Sequence, residues 1–378
     1  MSDMKITDRR LLFEGALAPG PAHNLAFPSL LICPDGSILL AHRVGRTKNS
    51  ADGTQRLWRS GDAGVRWQPV RFPFLATPAG QPGEFRTLAL SRIGPTRIAM
   101  LLTWIDHPVG KGDVPLSNAI TGGLLPIHIG WSYSDDSGST WSELGEIKPA
   151  PLVQPCGNGA MLRMSDGRLM VAFETYKEFD DPAPWSSRSV VMTSVDDGRT
   201  WQPPQIVAAD PEQFVFYWDQ HVHQLQDGTV IDMPWVDDRR KPSRSEIFLV
   251  RSVDGGRTWA KPEPTGISGQ YSTVVELADG RLLLLYVQRT GEPSIRIRKS
   301  NDGGRSWDPT DSLVLHSQTA DDLAAASKQS YEDYLRNMAR WSFGWPTAVE
   351  LPNGGLLVSY YVGEDDRSSV MLARVDLR

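Results

Sequence analysis

One eight-residue phrase occurs five times in this chain and restricts the folds that the chain can adopt. The phrase reads Ser-x-Asp-x-Gly-x-x-Trp, and its copies are Ser60–Trp67, Ser134–Trp141, Ser194–Trp201, Ser252–Trp259 and Ser300–Trp307. Asp and Gly at these offsets predict a tight turn, in which the carboxylate binds backbone amides and the Trp packs beneath. Five copies indicate an array of small, similar modules.

A second repeat lies between the first ones and consists of an apolar strand, an Asp-Gly or Asn-Gly turn, and another apolar strand. Its turns are Asp35-Gly36, Asp166-Gly167, Asp227-Gly228, Asp279-Gly280 and Asn353-Gly354. A copy without the turn signature runs through Phe85–Leu90 and Ile98–Leu102. Such turns between apolar runs are strong β-hairpin signals. The two repeats together predict six units, each a four-stranded antiparallel sheet.

Six such sheets predict an all-β fold, a six-bladed β-propeller that forms a single domain over residues 1–378 with five turns of the first repeat. The early strand Arg9–Glu14 is expected to complete the last blade and close the ring. One segment departs from the β pattern, because apolar residues recur at helical spacing between 319 and 341. We therefore expect one inserted helix, at 319–341, between blades five and six.

Charge and cysteine content exclude several other classes of protein. The formal net charge of −6 argues against a nucleic-acid partner. No run reaches the ~20 apolar residues of a membrane helix, and the first residues lack a signal-peptide layout, so we expect no membrane partner and a cytoplasmic location. Cys33 and Cys156 follow no metal-binding or redox spacing and are expected to be free thiols. No metal and no cofactor are predicted, and the oligomeric state stays open.

The chain resembles the sialidase (neuraminidase) superfamily, whose members carry this phrase as the Asp-box, or BNR repeat, on a six-bladed β-propeller. The resemblance implies an arginine triad for a substrate carboxylate, a nucleophilic Tyr with a Glu partner, and an Asp acid/base. The family's first arginine belongs to a Phe-Arg-Ile-Pro phrase, and the matching phrase Leu25–Pro28 has Ala26 instead. This departure argues against an ordinary sialidase.

The resemblance also assigns the family's functional residues to positions in this chain, because equivalent positions precede each hairpin turn by the same number of residues. The family's Glu partner corresponds to Asp219, and its Tyr corresponds to Trp345, while Tyr271 holds the equivalent position one blade earlier. Asp52 is the nearest candidate for the acid/base. Arg239 and Arg289 lie a few residues from the expected sites of the other arginines.

The repeat predicts a site without help from the family, because the inner strand of each blade lines the channel of a propeller. The position eight residues before each turn is held by Phe27, Asn158, Asp219, Tyr271 and Trp345, with Glu84 and Arg86 at about this level in the second blade. A sugar site typically combines aromatic faces with a carboxylate, an amide and a guanidinium. We include Trp218 among the predicted sugar-binding residues. Each polar group is alternatively an ordinary channel-lining residue, and Arg86 alternatively pairs with Glu84.

Three functions follow from this candidate site. The leading hypothesis is a sialidase-like, carbohydrate-active enzyme, an exo-glycosidase that cleaves a terminal acidic sugar with Asp219 as the essential carboxylate. The second is a uronate-directed polysaccharide or oligosaccharide lyase, in which His221 or Tyr271 acts as base and Arg86 neutralises the acid group. The third is a non-catalytic propeller that binds a glycan. All three imply a carbohydrate ligand.

Overall fold

The regular structure of this protein is built from β-strands. The computed structural model describes residues 4–15, 23–74, 83–108, 114–241, 245–318, 342–364 and 367–377. The regular elements of these ranges are strands, as an all-β fold requires. The helix predicted for 319–341 lies outside them. Within the same ranges, no helix has the length and apolar character needed to cross a membrane.

The strands follow one another along the chain with short connections. The first are β1 (Met4–Phe13), β2 (Asn24–Ile32), β3 (Ile38–Gly45), β4 (Thr54–Ser60), β5 (Gln68–Val70), β6 (Gly83–Arg92), β7 (Ile98–Asp106), β8 (Ile127–Ser134) and β9 (Gly145–Ile147). Next come β10 (Pro155–Cys156), β11 (Leu162–Arg163), β12 (Leu169–Thr175), β13 (Ser189–Ser194), β14 (Gln205–Ala208), β15 (Val215–Trp218), β16 (His223–Gln224), β17 (Val230–Asp232), β18 (Trp235–Asp238), β19 (Ser245–Ser252) and β20 (Glu263–Ser268). The last are β21 (Gln270–Glu276), β22 (Leu282–Gln288), β23 (Ser294–Ser300), β24 (Ser312–Ser317), β25 (Phe343–Glu350), β26 (Leu356–Glu364) and β27 (Arg367–Leu377).

Antiparallel neighbours along the chain pair to form the sheets. Strands β6–β9 and β21–β24 each form a four-stranded sheet, while β10–β14 and β15–β20 form sheets in which some strand positions are split in two. The remaining sheet has eight strands, β2–β5 on one side and β25–β27 with β1 on the other. These halves meet at one parallel pairing, Asn24 with Ser368. The predicted pairing of the early strand with the last unit is confirmed, because β1 pairs with β27.

The Asp-box turns have the structure that the sequence predicts. In the third copy, Ser194 Oγ donates to Asp196 Oδ1 at 2.8 Å, and the backbone N–H of Gly198 donates to Ser194 Oγ at 2.8 Å. The hydroxyl of Thr200 donates to Asp196 Oδ2 at 2.6 Å. These hydrogen bonds, led by the one from Thr200, lower the pKa of Asp196 to about 2. The Asp-box is thus a structural turn held by its own side chains.

Each Asp-box turn also joins one sheet to the preceding one. A Cβ added to Gly198 would lie 2.2 Å from the ring of Trp131 in β8, and one added to Gly256 would lie 2.3 Å from Met170 in β12. The first turn contacts the end of the chain in the same way, since Gly64 faces Leu357 in β26. Contacts that pass from sheet to sheet, and between the two halves of the eight-stranded sheet, arrange the sheets like the blades of a β-propeller.

Two alanine substitutions separate the effect of this close packing from the effect of backbone conformation. Gly198 and Gly228 have similar positive φ angles, 80° and 86°, but a Cβ on Gly228 would meet nothing within 4 Å. We predict that Gly228→Ala lowers the free energy of unfolding by about 1 kcal/mol, the cost of a left-handed L-residue. Gly198→Ala should lower it by about 2–4 kcal/mol, because Trp131 must also move. Urea unfolding of both variants checks this, and equal losses would contradict it.

Candidate active site

Four of the five residues that lie eight positions before a hairpin turn share an unusual backbone conformation. Phe27, Asp219, Tyr271 and Trp345 have positive φ angles of 55°, 57°, 33° and 55°. Residues other than glycine rarely adopt this backbone conformation, which costs about 1–2 kcal/mol per residue. Three of these residues lie where the register of the inner strand shifts against its neighbour. Such β-bulges redirect a side chain and recur next to active sites.

The redirected side chains meet in one cavity of about 90 Å³. Six of the residues singled out by the repeat line it, namely Phe27, Arg86, Asn158, Asp219, Tyr271 and Trp345, whereas Glu84 does not. Arg86 also sits at a register shift, between Phe85 and Thr87 of β6. The prediction that equivalent positions point to the same place is therefore confirmed. The catalytic and binding roles given to these residues stay predictions.

The same cavity holds further residues, some of them predicted and some missed. Trp218 and Arg289 line it, as the sequence suggested. The residues that sequence reasoning missed include Lys48, Gln270, Tyr176 and Tyr361, together with the apolar side chains Ile105, Leu116, Leu124, Ile127 and Val287. The lining therefore combines apolar side chains with cations. Lys48 lies in the loop after β3, where no repeat signal exists to find it.

Asp219 is the carboxylate of this cavity. Its Oδ2 accepts a hydrogen bond from Trp235 Nε1 at 2.7 Å, and its Oδ1 accepts one from Asn158 Nδ2 at 2.7 Å. Burial raises the pKa of Asp219 from 3.8 to about 6, although both hydrogen bonds act in the opposite direction. A carboxyl group with this pKa exchanges a proton near neutral pH, as a catalytic acid or base must.

A second carboxyl group, Glu174, lies behind Asp219 and does not line the cavity. Its side chain is fully buried, and its Oε1 accepts from Asn158 Nδ2 and from the Tyr176 hydroxyl, both at 3.3 Å. Burial, and then the charge of Asp219, raise the pKa of Glu174 well above its ordinary value. Sequence reasoning missed this residue. The available signal was a glutamate within the otherwise apolar strand Leu169–Thr175.

Tyr271 forms the floor of the cavity together with Trp345. Their rings stack with centroids 4.2 Å apart, and His221 meets Tyr271 edge-on at 4.8 Å. Burial raises the pKa of Tyr271 well above its ordinary value, and the charge of Asp219 raises it further. The phenol is therefore neutral at neutral pH, with the Asp219 carboxylate close enough to affect its pKa.

Three cations face the cavity. Lys48 Nζ donates to the Tyr361 hydroxyl at 3.3 Å, Arg86 Nη2 donates to Asn49 Oδ1 at 2.8 Å, and Arg289 Nη2 donates to the carbonyl oxygen of Phe343 at 2.6 Å. These contacts hold each side chain in place at the cavity wall. A pre-positioned group of cations is suited to an anionic ligand.

Glu84 compensates part of this charge and settles one alternative left open by the sequence. Its Oε1 lies 3.5 Å from Arg86 Nη1, and its Oε2 lies 2.6 Å from Arg43 Nη2. Burial alone would raise the pKa of Glu84, but Arg43, His107 and Arg86 together lower it to about 2. Arg86 therefore lines the cavity and pairs with Glu84 at once. The two arginines and one glutamate leave one net positive charge.

Three predicted site residues lie outside the cavity. Asp52 is partly exposed and accepts from Arg46 Nε at 3.3 Å. The guanidinium carbon of Arg239 lies 4.5 Å from the centre of the Phe216 ring. His221 lines a neighbouring channel of about 170 Å³ on the far side of Tyr271 and Trp345, and burial lowers its pKa to about 4. These three residues are not among those that line the main cavity, and their catalytic and binding roles stay predictions.

Comparison with known proteins identifies the class to which this fold and site belong. The family model described as a BNR repeat-like domain matches residues 125–321, about half of the chain. A sialidase of Bacteroides fragilis is 26% identical over 206 residues, which are 48% of this chain and 37% of that protein. A sialidase of Micromonospora viridifaciens is 27% identical over 208 residues, 47% of this chain and 30% of that protein.

Solved structures extend the likeness to the whole chain. A protein of unknown function from Dyadobacter fermentans has a TM-score of 0.72 at 20% identity and full coverage of both chains. The intramolecular trans-sialidase of Ruminococcus gnavus has a TM-score of 0.65 at 14% identity, with 97% of each chain covered. An α-L-arabinanase of Penicillium chrysogenum has a TM-score of 0.62 at 14% identity, with 97% and 98% covered. At these identities the likeness concerns the fold.

These findings define a sialidase-like propeller built from BNR repeats. The chain belongs to the BNR repeat-like domain family. It spans about a third of the length of the two curated sialidases that it matches.

The buried carboxylate makes the stability of the fold depend on pH. The pKa of Asp219 is higher in the folded state, about 6, than its ordinary 3.8, so its favourable contribution is present below about pH 4 and is lost as the pH rises through 6. We predict that the wild type loses at least about 2 kcal/mol of unfolding free energy relative to Asp219→Asn between about pH 4 and pH 7. Urea unfolding at both pH values measures this difference.

The matched control is Asp279→Asn, at an exposed hairpin turn. Hydrogen bonds, led by the one from the backbone N–H of Arg281, lower the pKa of Asp279, so its contribution is already complete above pH 4. The wild type and this variant should therefore change in parallel between the two pH values. If the unfolding free energy of Asp219→Asn also changed in parallel with that of the wild type, the result would contradict the burial of the Asp219 charge.

Proposed function

We propose that this protein is a carbohydrate-active enzyme, an exo-glycosidase that cleaves a terminal acidic sugar. The observation that carries the proposal is a cavity in which one carboxylate with a raised pKa, Asp219, faces three cations, Lys48, Arg86 and Arg289. A carboxylate on the sugar would bind the cations, and the ring would lie against Trp345 and Phe27. Side chains from every sheet enclose this space, which suits the end of a glycan rather than its middle.

In the proposed reaction, Asp219 accepts a proton from the Tyr271 hydroxyl while that oxygen attacks the anomeric carbon. The bond to the leaving glycan breaks, its oxygen takes a proton from solvent water, and a covalent sugar–Tyr271 intermediate forms. Water then attacks the same carbon and loses one proton to solvent, while the proton on Asp219 returns to the phenol oxygen. A carboxylate activating a neutral nucleophile is a general strategy of covalent catalysis. The proximity of the two groups supports this assignment, since the charge of Asp219 raises the pKa of Tyr271.

The likeness to known proteins supports the reaction class. Both curated relatives are sialidases, and the solved structures with this fold include an intramolecular trans-sialidase and an arabinanase. Cleavage of a glycosidic bond is what the names of these enzymes have in common. The identity of the acidic sugar is not carried over, because Ala26 stands where sialidases have their first arginine.

The architecture that we propose with this function is a closed ring of six blades, formed by one domain over residues 1–378. The eight-stranded sheet contributes two blades, because its halves share one pairing, Asn24 with Ser368. The other four sheets contribute one each. In this ring the inner strands line the axis, and the left-handed or bulged residues in them turn their side chains toward it, which accounts for the convergence of these side chains.

Product analysis tests the proposed function. A panel of oligosaccharides with sialic-acid, uronate and neutral ends is incubated with the protein in water enriched in heavy oxygen and examined by mass spectrometry. We predict release of one acidic monosaccharide that carries the heavy label. Asp219→Asn and Tyr271→Phe should each lower kcat at least about 100-fold, because each removes a group that takes part in the proton transfer.

Other outcomes would replace this function with a specific alternative. An unlabelled, unsaturated product that absorbs in the near ultraviolet would indicate a uronate lyase. Binding without turnover, with an affinity that Asp219→Asn leaves unchanged, would indicate a glycan-binding module. As a control, Asp279→Asn should retain wild-type kinetics, since Asp279 lies at an exposed hairpin turn and pairs with Arg281.

The three cations of the cavity, Lys48, Arg86 and Arg289, lead to a second prediction. Arg289→Met should raise KM for the acidic sugar by about 10- to 100-fold, because one charge-assisted contact is lost from the ground state and the transition state alike. Arg281→Met is the matched control, since Arg281 pairs with Asp279 at a hairpin turn and does not line the cavity. Circular dichroism verifies that both variants are folded. Equal effects of the two substitutions on KM would show that Arg289 does not contact the sugar carboxylate.

A further inference from the structure

Asn158 lies between two carboxyl groups that belong to different sheets. Its Nδ2 donates to Asp219 Oδ1 at 2.7 Å and to Glu174 Oε1 at 3.3 Å, while Cys156 Sγ donates to its Oδ1 at 3.7 Å. An amide nitrogen carries two hydrogens, so each carboxyl group receives one of them. The thiol on the opposite side fixes which way the amide points. One carboxyl group is thus held at the cavity and the other directly behind it.

The environment of Glu174 compensates a second negative charge only in part, because burial and the charge of Asp219 outweigh the backbone hydrogen bonds from Glu174, Gln220 and Asp219. Its side chain is fully buried, and its Oε2 atom has no hydrogen-bond partner in the part of the chain that the structure describes. Within the same part, no basic side chain forms an ion pair with Glu174 or with Asp219. Two like charges in one buried site are unfavourable, and such a pair retains a proton instead.

We propose that Glu174 is a further positioning residue of this site, and that Asn158 joins Glu174 and Asp219 into one unit that holds a single shared proton at neutral pH. Asp219 is the member that reaches the cavity and carries the negative charge. Glu174 stays protonated and acts on the ligand only through Asn158 and Asp219. The unit limits the carboxylate charge of the site to one.

The groups that face this unit from the surrounding elements do not change that conclusion. They are the thiol of Cys156, the phenols of Tyr176, Tyr271 and Tyr361, and the guanidinium of Arg86. Burial raises the pKa of Cys156, Tyr271 and Tyr361, so these three are neutral at neutral pH. Arg86 is already paired with Glu84.

The limit of one negative charge on the unit of Glu174, Asn158 and Asp219 has a consequence for ligand binding. With one negative charge on the unit, the cations Lys48, Arg86 and Arg289 leave the cavity net positive, and an acidic sugar is attracted. Ionisation of Glu174 would add a second negative charge beside the sugar carboxylate and weaken that attraction. This consequence rests on the proposed function, whereas the sharing of the proton does not.

Carboxyl titration by nuclear magnetic resonance tests the shared proton directly and needs no substrate. The carboxyl carbons of Asp and Glu are labelled, and the wild type, Asp219→Asn, Glu174→Gln and the control Glu276→Gln are titrated. Glu276 pairs with His223 and does not contact Asn158. We expect two coupled steps in the wild type. Asp219→Asn should lower the pH at which Glu174 titrates by at least about one pH unit, because the neighbouring negative charge is gone.

The inference is overturned if Glu174 titrates at the same pH in the wild type and in Asp219→Asn, or if Glu276→Gln shifts the pair as much as Asp219→Asn does. Kinetics provide a second readout once the sugar is known. Glu174→Gln should remove the alkaline fall of kcat/KM, whereas a loss that is uniform across pH would indicate a merely structural role and overturn the inference. If no sugar is turned over, the proposed function fails and the titration still decides the shared proton.

Discussion

The site of this protein depends on a backbone constraint, the left-handed conformation of single residues in the inner strands. A regular strand would alternate its side chains between the two faces of its own sheet and would point none of them along the strand toward a common axis. The positive φ angles of Phe27, Asp219, Tyr271 and Trp345 turn these side chains out of that alternation. Their local strain persists because the buried ladders and the Asp-box turns on both sides hold the strands in place.

Burial is the second constraint, and it determines the charge of the cavity. The carboxylate of Asp219 receives two hydrogen bonds and still has a raised pKa, because desolvation outweighs them. Glu84 shows the opposite result although its side chain is fully buried, since Arg43, His107 and Arg86 face it. The two carboxyl groups thus differ in pKa, and the difference lies in the partners that the neighbouring sheets supply.

Much of the fold could be predicted from the sequence, because its signals are local. An Asp-box and an Asp-Gly hairpin each complete their hydrogen bonds within a few residues, so the turns and the strands beside them follow from the sequence alone. The fixed offset from each turn also predicted which residues meet in the cavity. Asp52, Arg239 and His221 do not occupy this position before a turn, so the repeat did not predict where their side chains lie. They are found outside the cavity.

The sequence by itself determined the repeating unit, its turns and the set of positions that face the axis, since each depends on contacts between residues close in the chain. Only the tertiary structure decided the charge states and the partners of those positions. Lys48, Glu174 and Tyr361 reach the site from loops and second strands, far in sequence from the residues that they affect. Their proximity results from the packing of one sheet against the next, which no local pattern encodes.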